Sequence, residues 1–172
     1  MIISRLFGGL GNQLFQYAAA RKLSIDSENK LFVNKSLFSN GNYIHNFELN
    51  KFKITYDGYY NFSGFEKLKL KLVRIGLINF SNILSEENFD IKVNSIESKS
   101  YLDGYWQSEK YFKNFREDLL KIFNFDELIN EEKNKNLLKK IDLSNDVCLN
   151  IRRTDHLNSK ELNIISEEYY DR

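Results

Sequence analysis

The chain has 172 residues, 42% hydrophobic and 15% aromatic, with 25 Lys and Arg against 24 Asp and Glu and a formal charge of +1. The aromatic content excludes an intrinsically disordered chain, and the length sets a prior of one domain. The balanced charge argues against a protein that grips nucleic acid through a basic field, and no apolar run approaches the ~20 residues of a membrane helix.

Residues 2–7, an apolar run ending at glycine, are expected to form a first strand. Gly8 to Gln13 reads as a turn or loop. Leu14 to Leu23 reads as a helix, with three alanines and with Leu14, Tyr17, Ala18 and Arg21 at helical spacing. Lys30 to Asn34 reads as a second strand. Strand, glycine-rich turn, helix and strand are the opening of an α/β domain of the nucleotide-binding type.

The stretch from 35 to 100 is the hardest to read. Within 66–78, Lys67, Lys69 and Lys71 alternate with Leu68, Leu70 and Leu72 and run into Ile75, Leu77 and Ile78. Two readings stand: a basic amphipathic surface against anionic lipid, or a helix or edge strand with solvated lysines. Tyr101 to Trp106 is expected as a strand, with Ser108 as a helix cap. Phe112, Phe115, Leu119, Ile122 and Phe123 then mark the apolar face of a helix. A further helix follows, capped by Asn130, with Glu131 and Glu132 in its first turn and Leu137, Leu138 and Ile141 turned inward. Val147 to Ile151 reads as a buried parallel strand that empties into Arg152-Arg153-Thr154-Asp155-His156. Cys148, the single cysteine, is expected inside that strand as a reduced thiol. The N-terminus reaches glycine before a signal-peptide core forms, so the cytoplasm is the expected location, with a peripheral contact at the inner membrane face left open.

Two segments carry chemistry. Glycines permit close backbone approach, and amides at a helix start attract anions. Yet Gly-Gly-x-Gly-Asn-Gln is neither the dinucleotide pattern Gly-x-Gly-x-x-Gly nor a phosphate loop, so it is a ligand site or a structural turn. Arg152 and Arg153 stand at the carboxyl end of a predicted strand, where open α/β sheets bind ligands. Their planar guanidinium groups suit phosphate oxygens; the alternative is that they pair with Asp155 or nearby carboxylates and hold a loop.

Gly8-Gly9-Leu10-Gly11-Asn12-Gln13-Leu14-Phe15-Gln16-Tyr17-Ala18 resembles the N-terminal signature of the α-1,2-fucosyltransferases of glycosyltransferase family 11. Val147-Cys148-Leu149-Asn150-Ile151-Arg152-Arg153-Thr154-Asp155 resembles their second motif, usually His-x-Arg-Arg-Gly-Asp, with Asn150 in the histidine position and Thr154 in place of glycine. The related α-1,6-fucosyltransferases carry Arg-Arg-Thr-Asp. Gly104 to Phe112 is similar to a further family segment, and Asn46 to Phe52 matches more loosely.

The resemblance implies the Rossmann-like N-terminal half of a GT-B-type glycosyltransferase, followed by only the first strand and loop of the C-terminal half. Residues 1–144 would be the acceptor-side domain and 145–172 the start of a truncated GDP-fucose-binding domain. The implied reaction is transfer of fucose from GDP-fucose to a galactose 2-hydroxyl with inversion, on a galactose-containing glycan. By that resemblance Arg152 would hold the donor diphosphate, Arg153 and Asp155 would support it, and Gly9, Gly11, Asn12 and Gln13 would face the cleft. The sequence holds no Asp-x-Asp, and arginine can replace a metal as electrophile for the leaving group, so no metal or other cofactor is expected. Glu161 and His156 follow the arginines, and Glu161 is the candidate base on the resemblance to the α-1,6 enzymes.

With about twenty residues after the arginines, the expectation is a truncated chain with little or no activity alone, whose strand at 147–151 invites association through an open edge. The alternative is a non-enzymatic remnant or interaction module that keeps a partial phosphate site. An unrelated dinucleotide-dependent oxidoreductase is disfavoured by the glycine spacing.

Overall fold

A strand that is buried on both faces must be apolar at every position, and Ile2-Ile3 at the start of the chain meets that demand. The computed structural model describes residues 1–78, 80–87, 96, 99–142 and 144–147. It places β1 (Ile2–Arg5) at the centre of a parallel five-stranded sheet with β2 (Leu31–Asn34), β3 (Gly58–Tyr59), β4 (Ile83–Leu84) and β5 (Ser100–Leu102). The order is β3-β2-β1-β5-β4. Ile2 stands opposite Leu31 on one side and Ser100 on the other, and Arg5 opposite Asn34. The expected α/β class and its opening strand-turn-helix-strand unit are therefore present.

Alternate residues of β1 serve opposite faces, as the pleat requires. Ile2 joins a core with Leu31, Val33, Tyr17, Ala20 and Leu23, under α1 (Leu10–Asp26). Ala19 and Ala20 leave that helix little bulk to hold it off the sheet, while Ala18 packs against Phe115 and Leu119. Ile3 joins Phe62, Ile83 and Tyr101 under Leu70 of α2 (Gly64–Arg74). Each such isoleucine, fully buried, contributes about 1.5–3 kcal/mol.

The alternating Lys-Leu stretch is thus a helix. It opens with a capping box, in which Ser63 Oγ accepts the Glu66 N–H and the Glu66 carboxylate accepts the Ser63 N–H. The same carboxylate accepts bonds from Lys99 at 2.6 Å, from the Tyr60 hydroxyl at 2.7 Å and from the Tyr101 hydroxyl. Burial alone would push the Glu66 carboxyl up; the bonds from Lys99, Tyr101, Ser63 and Tyr60 outweigh it and hold the group well below the usual carboxylate range. Burial acts downward on Lys99, but Glu66 and the two tyrosines hold its ammonium above the ordinary lysine value.

Several boundaries differ from the sequence expectations. α1 begins at Leu10 rather than Leu14, because Gly8, at φ +78°, makes the turn alone and Gly9 is already the extended cap residue. Gly11, Asn12 and Gln13 therefore belong to a helix. The fifth strand stops at Leu102 and does not reach Trp106; Trp106 has φ +60°, a conformation no strand continues through, and its N–H is taken by Glu86. Ser108 does cap, but it caps a 3-10 turn, Glu109–Tyr111. The expected helix through 112–123 is broken, since Phe112 at φ −148° interrupts it; a second 3-10 turn, Lys113–Phe115, leads into α3 (Arg116–Ile122).

Two compact units divide the chain, Met1–Leu128 and Ile129–Arg172. A one-turn helix, α4 (Asp126–Ile129), spans the boundary. In the second unit the N-cap position of α5 (Glu132–Leu138) falls on Glu131, one residue after Asn130, and Glu131 makes no side-chain cap bond there. Leu137, Leu138 and Ile141 are not turned inward: they are 58%, 42% and 38% exposed. Adjacent leucines on a helix point about 100° apart, so one buried face cannot take both, and Ile141 lies past the helix end. Of the expected strand 147–151 only Val147 is described, and it is exposed outside any strand; Cys148 lies outside the described residues. No described helix is long and apolar enough to cross a membrane.

Candidate functional site

In open α/β sheets the carboxyl ends of the strands offer loops and helix starts to a ligand. Here the central strand β1 empties into the glycine loop, and its neighbour β5 empties into Asp103–Gln107. The two loops meet. The Phe7 and Tyr105 rings pack edge to face at 4.8 Å, and the Gln107 amide donates to Asn12 Oδ1 at 2.5 Å.

The glycine loop is held from beneath by two buried glutamines of α1. Gln13 donates through Nε2 to the carbonyls of Gly8, at 2.9 Å, and Asn46, at 2.8 Å; its Oε1 accepts the Glu48 N–H at 2.9 Å. One side chain thus clips the segment 46–48 against the glycine turn. Gln16 Oε1 accepts the Phe7 N–H at 3.0 Å, while its Nε2 is buried without a partner among the described residues. The Gly8 N–H donates to the Tyr43 hydroxyl at 2.5 Å. A Cβ at Gly8 would stand 2.3 Å from Asn12 Nδ2 and push that side chain aside, while the φ of +78° is what favours glycine there.

Above this support the backbone is open. α1, with Gly9 in its N-cap position, has no side-chain cap and no acidic residue in its first turn, which leaves amides and the positive end of the helix dipole at the rim. A Cβ at Gly11 would meet nothing within 4 Å. Gly9 lines a cavity of about 390 Å³ with Leu10, Ile44, His45, Asn46, Glu48 and Lys51.

On the far side of β5 a cavity of about 570 Å³ is walled by Arg74, Glu86, Asp103 and Tyr105 among others. Asp103, whose side chain is 9% exposed, accepts from Arg5 at 3.1 Å and from both forks of Arg74 at 2.8 and 2.5 Å. α2 runs in the same direction as β5: Glu66 in its first turn binds Lys99 ahead of the strand, and Arg74 in its last turn binds Asp103 beyond it.

Of the residues singled out in the sequence, Gly9, Gly11, Asn12 and Gln13 are brought together in one helical turn. Gly11 borders open space, Gly9 lies in the cavity wall beside the His45 ring, Asn12 ties the two loops, and Gln13 is wholly buried with its amide in intramolecular bonds. Arg152, Arg153, Asp155 and Glu161 lie outside the described residues. Sequence reading missed Gln16, Tyr43, Asp103 and Gln107. Gln16 and Gln107 carried a signal, the first within the Gly8–Ala18 motif and the second within the Gly104–Phe112 segment.

Similarity to known proteins follows the whole chain. It is 29% identical over 187 residues to an α-1,2-colitosyltransferase of Escherichia coli, covering 99% of this chain and 61% of that protein. It is 30% identical over 202 residues to the O-antigen biosynthesis glycosyltransferase WbnK of Escherichia coli, covering 98% of this chain and 65% of that protein. No protein-family model and no solved structure matches. The chain spans under two thirds of the length of these relatives, and nearly all of it aligns with proteins named as glycosyltransferases.

Proposed function

We propose that residues 1–144 form the acceptor-side domain, and 145–172 the start of the GDP-fucose-binding domain, of a galactoside 2-α-L-fucosyltransferase, an inverting enzyme that moves fucose from GDP-fucose to a galactose 2-hydroxyl. The observation that carries this reading is the alignment of 98–99% of the chain with two glycosyltransferases, one of them named for an α-1,2 linkage. The glycine-loop rim supports it, because a face of backbone amides and carboxamides suits a polyhydroxylated ligand.

In that reaction the acceptor 2-hydroxyl oxygen bonds to the anomeric carbon, the bond from that carbon to the diphosphate oxygen breaks, and the hydroxyl proton passes to a base. Arg152 neutralises charge on the departing diphosphate in place of a metal, Arg153 and Asp155 order its loop, and Glu161 is the candidate base. Asn12 and Gln107 offer amides to sugar hydroxyls, while Gln13 acts one layer behind and fixes the rim. The name of the first relative favours a second reading of the donor, a colitosyl in place of a fucosyl nucleotide, with the same acceptor position.

The experiment is Arg152→Ala in the natural full-length protein, assayed with GDP-fucose and a β-galactoside. A loss of about 10²–10³ in turnover is expected for removal of one such donor; near-normal turnover would contradict the assignment. An unchanged rate in Glu161→Gln would remove that residue as the base.

A further inference from the structure

A surface helix ordinarily spends its apolar residues on the core and turns polar ones outward. α2 does the first and not the second. Leu70 and Val73 face the sheet, yet Phe65, Leu68, Leu72 and Ile75 recur at helical spacing on the opposite side. Phe65, Leu68 and Ile75 are 67%, 52% and 59% exposed, and Leu77 and Ile78 extend the strip at 69% and 42%.

Cations border this strip on both sides. At about 100° per residue, Lys67, Lys71 and Arg74 fall along one margin and Lys69 along the other. Lys69 lies over the Phe65 and Phe80 rings at 4.8 and 4.6 Å, so its stem runs along the apolar surface and its charge sits at the edge. The one acidic residue between 64 and 78 is Glu66, and it is folded inward onto Lys99. The exposed face of the helix is therefore apolar along its crest, with lysines at both margins and no outward carboxylate of its own, the pattern that seats a helix in the plane of an anionic bilayer surface; carboxylates (Glu86, Glu87 and Asp103) stand only at its far end, beside Arg74, Leu77 and Ile78.

We infer that α2 and the turn after it, residues 64–78, form a docking surface for a membrane carrying anionic phospholipid headgroups. The apolar crest enters the headgroup layer, and Lys67, Lys69 and Lys71 meet lipid phosphates. Arg74, at the end of the helix, holds Asp103 in the wall of the 570 Å³ cavity, so the docked face and that cavity share a wall. The inference stands apart from the transferase reading, since neither donor nor acceptor enters its test.

That test is co-sedimentation of the 172-residue chain with vesicles of phosphatidylcholine alone, and of one part phosphatidylglycerol to three of phosphatidylcholine. The expected result is partition onto the anionic vesicles tighter by on the order of tenfold or more, falling steeply with added salt. Lys67→Glu with Lys71→Glu should abolish the preference for anionic vesicles. Leu68→Ser with Ile75→Ser should weaken binding to both, with melting curves unchanged because these side chains are exposed. Equal partition onto both vesicles, or none, overturns the inference. So does self-association of the chain that the leucine and isoleucine changes disrupt while vesicles leave it untouched, which would assign the strip to a second copy.

Discussion

Gln13 is the side chain on which the shape of the glycine rim depends, and its replacement gives a sharp test of that view. In Gln13→Ala three neutral hydrogen bonds are lost at once. At about 1 kcal/mol each, the loss is roughly 3 kcal/mol. The Gly8 carbonyl, being buried, adds to this, whereas Asn46 and Glu48 recover part of theirs from water. For a compact unit of this size that corresponds to a fall in melting temperature of roughly 10 °C.

Gln13→Glu goes further, because it sets a carboxylate against the two carbonyl oxygens that now accept from Nε2. Burial and those oxygens raise the folded pKa of the new carboxyl above its unfolded value of about 4.3. The protonated form is then favoured in the fold, so the penalty is smallest below about pH 4.3 and grows as pH rises through the folded pKa. Thermal melts of the wild type and both variants from acid to neutral pH measure this. A shift in Gln13→Ala of less than about 2 °C, or a Gln13→Glu penalty that does not grow with pH, would refute the clip.

Gly8→Ala is expected to cost about 1–2 kcal/mol from its φ of +78°, and also to push Asn12 off Gln107. Gly11→Ala, with open space around it, should be neutral or stabilise by up to about 1 kcal/mol; melting curves of the pair separate strain from helix propensity. Glu66, held low by its partners, stabilises the fold above about pH 4.3 and loses that contribution as pH falls toward its folded pKa. Glu66→Gln should therefore be less stable than wild type at neutral pH, with the gap closing in acid; a gap that stays constant down to acid-induced unfolding would contradict the network.

The central strand and its helix were legible because their signals are local: Ile2-Ile3 before glycine, and alanines with Tyr17 at helical spacing. The start of α1 was misread because glycines suggest a loop, while the turn itself needs only Gly8. The break at Phe112 was hidden, since a spacing of three fits a 3-10 turn as well as an α-helix. β3 and β4 have two residues each, too few to show alternation. The rim was half visible. Gly9, Gly11, Asn12 and Gln13 form one contiguous motif, but Gln107 reaches Asn12 across 95 residues and Tyr43 reaches Gly8 across 35, pairings that only the fold creates.

The measurement that bears most directly on the account is sugar transfer by the natural full-length protein carrying this chain, with GDP-fucose, other sugar nucleotides and a β-galactoside offered in turn, with and without a chelator. The account predicts an α-linked fucose on the galactose 2-hydroxyl, formed from the β-linked donor at a rate that the chelator leaves unchanged. Transfer to another hydroxyl, retention of the donor configuration, or no transfer from any sugar nucleotide would contradict it.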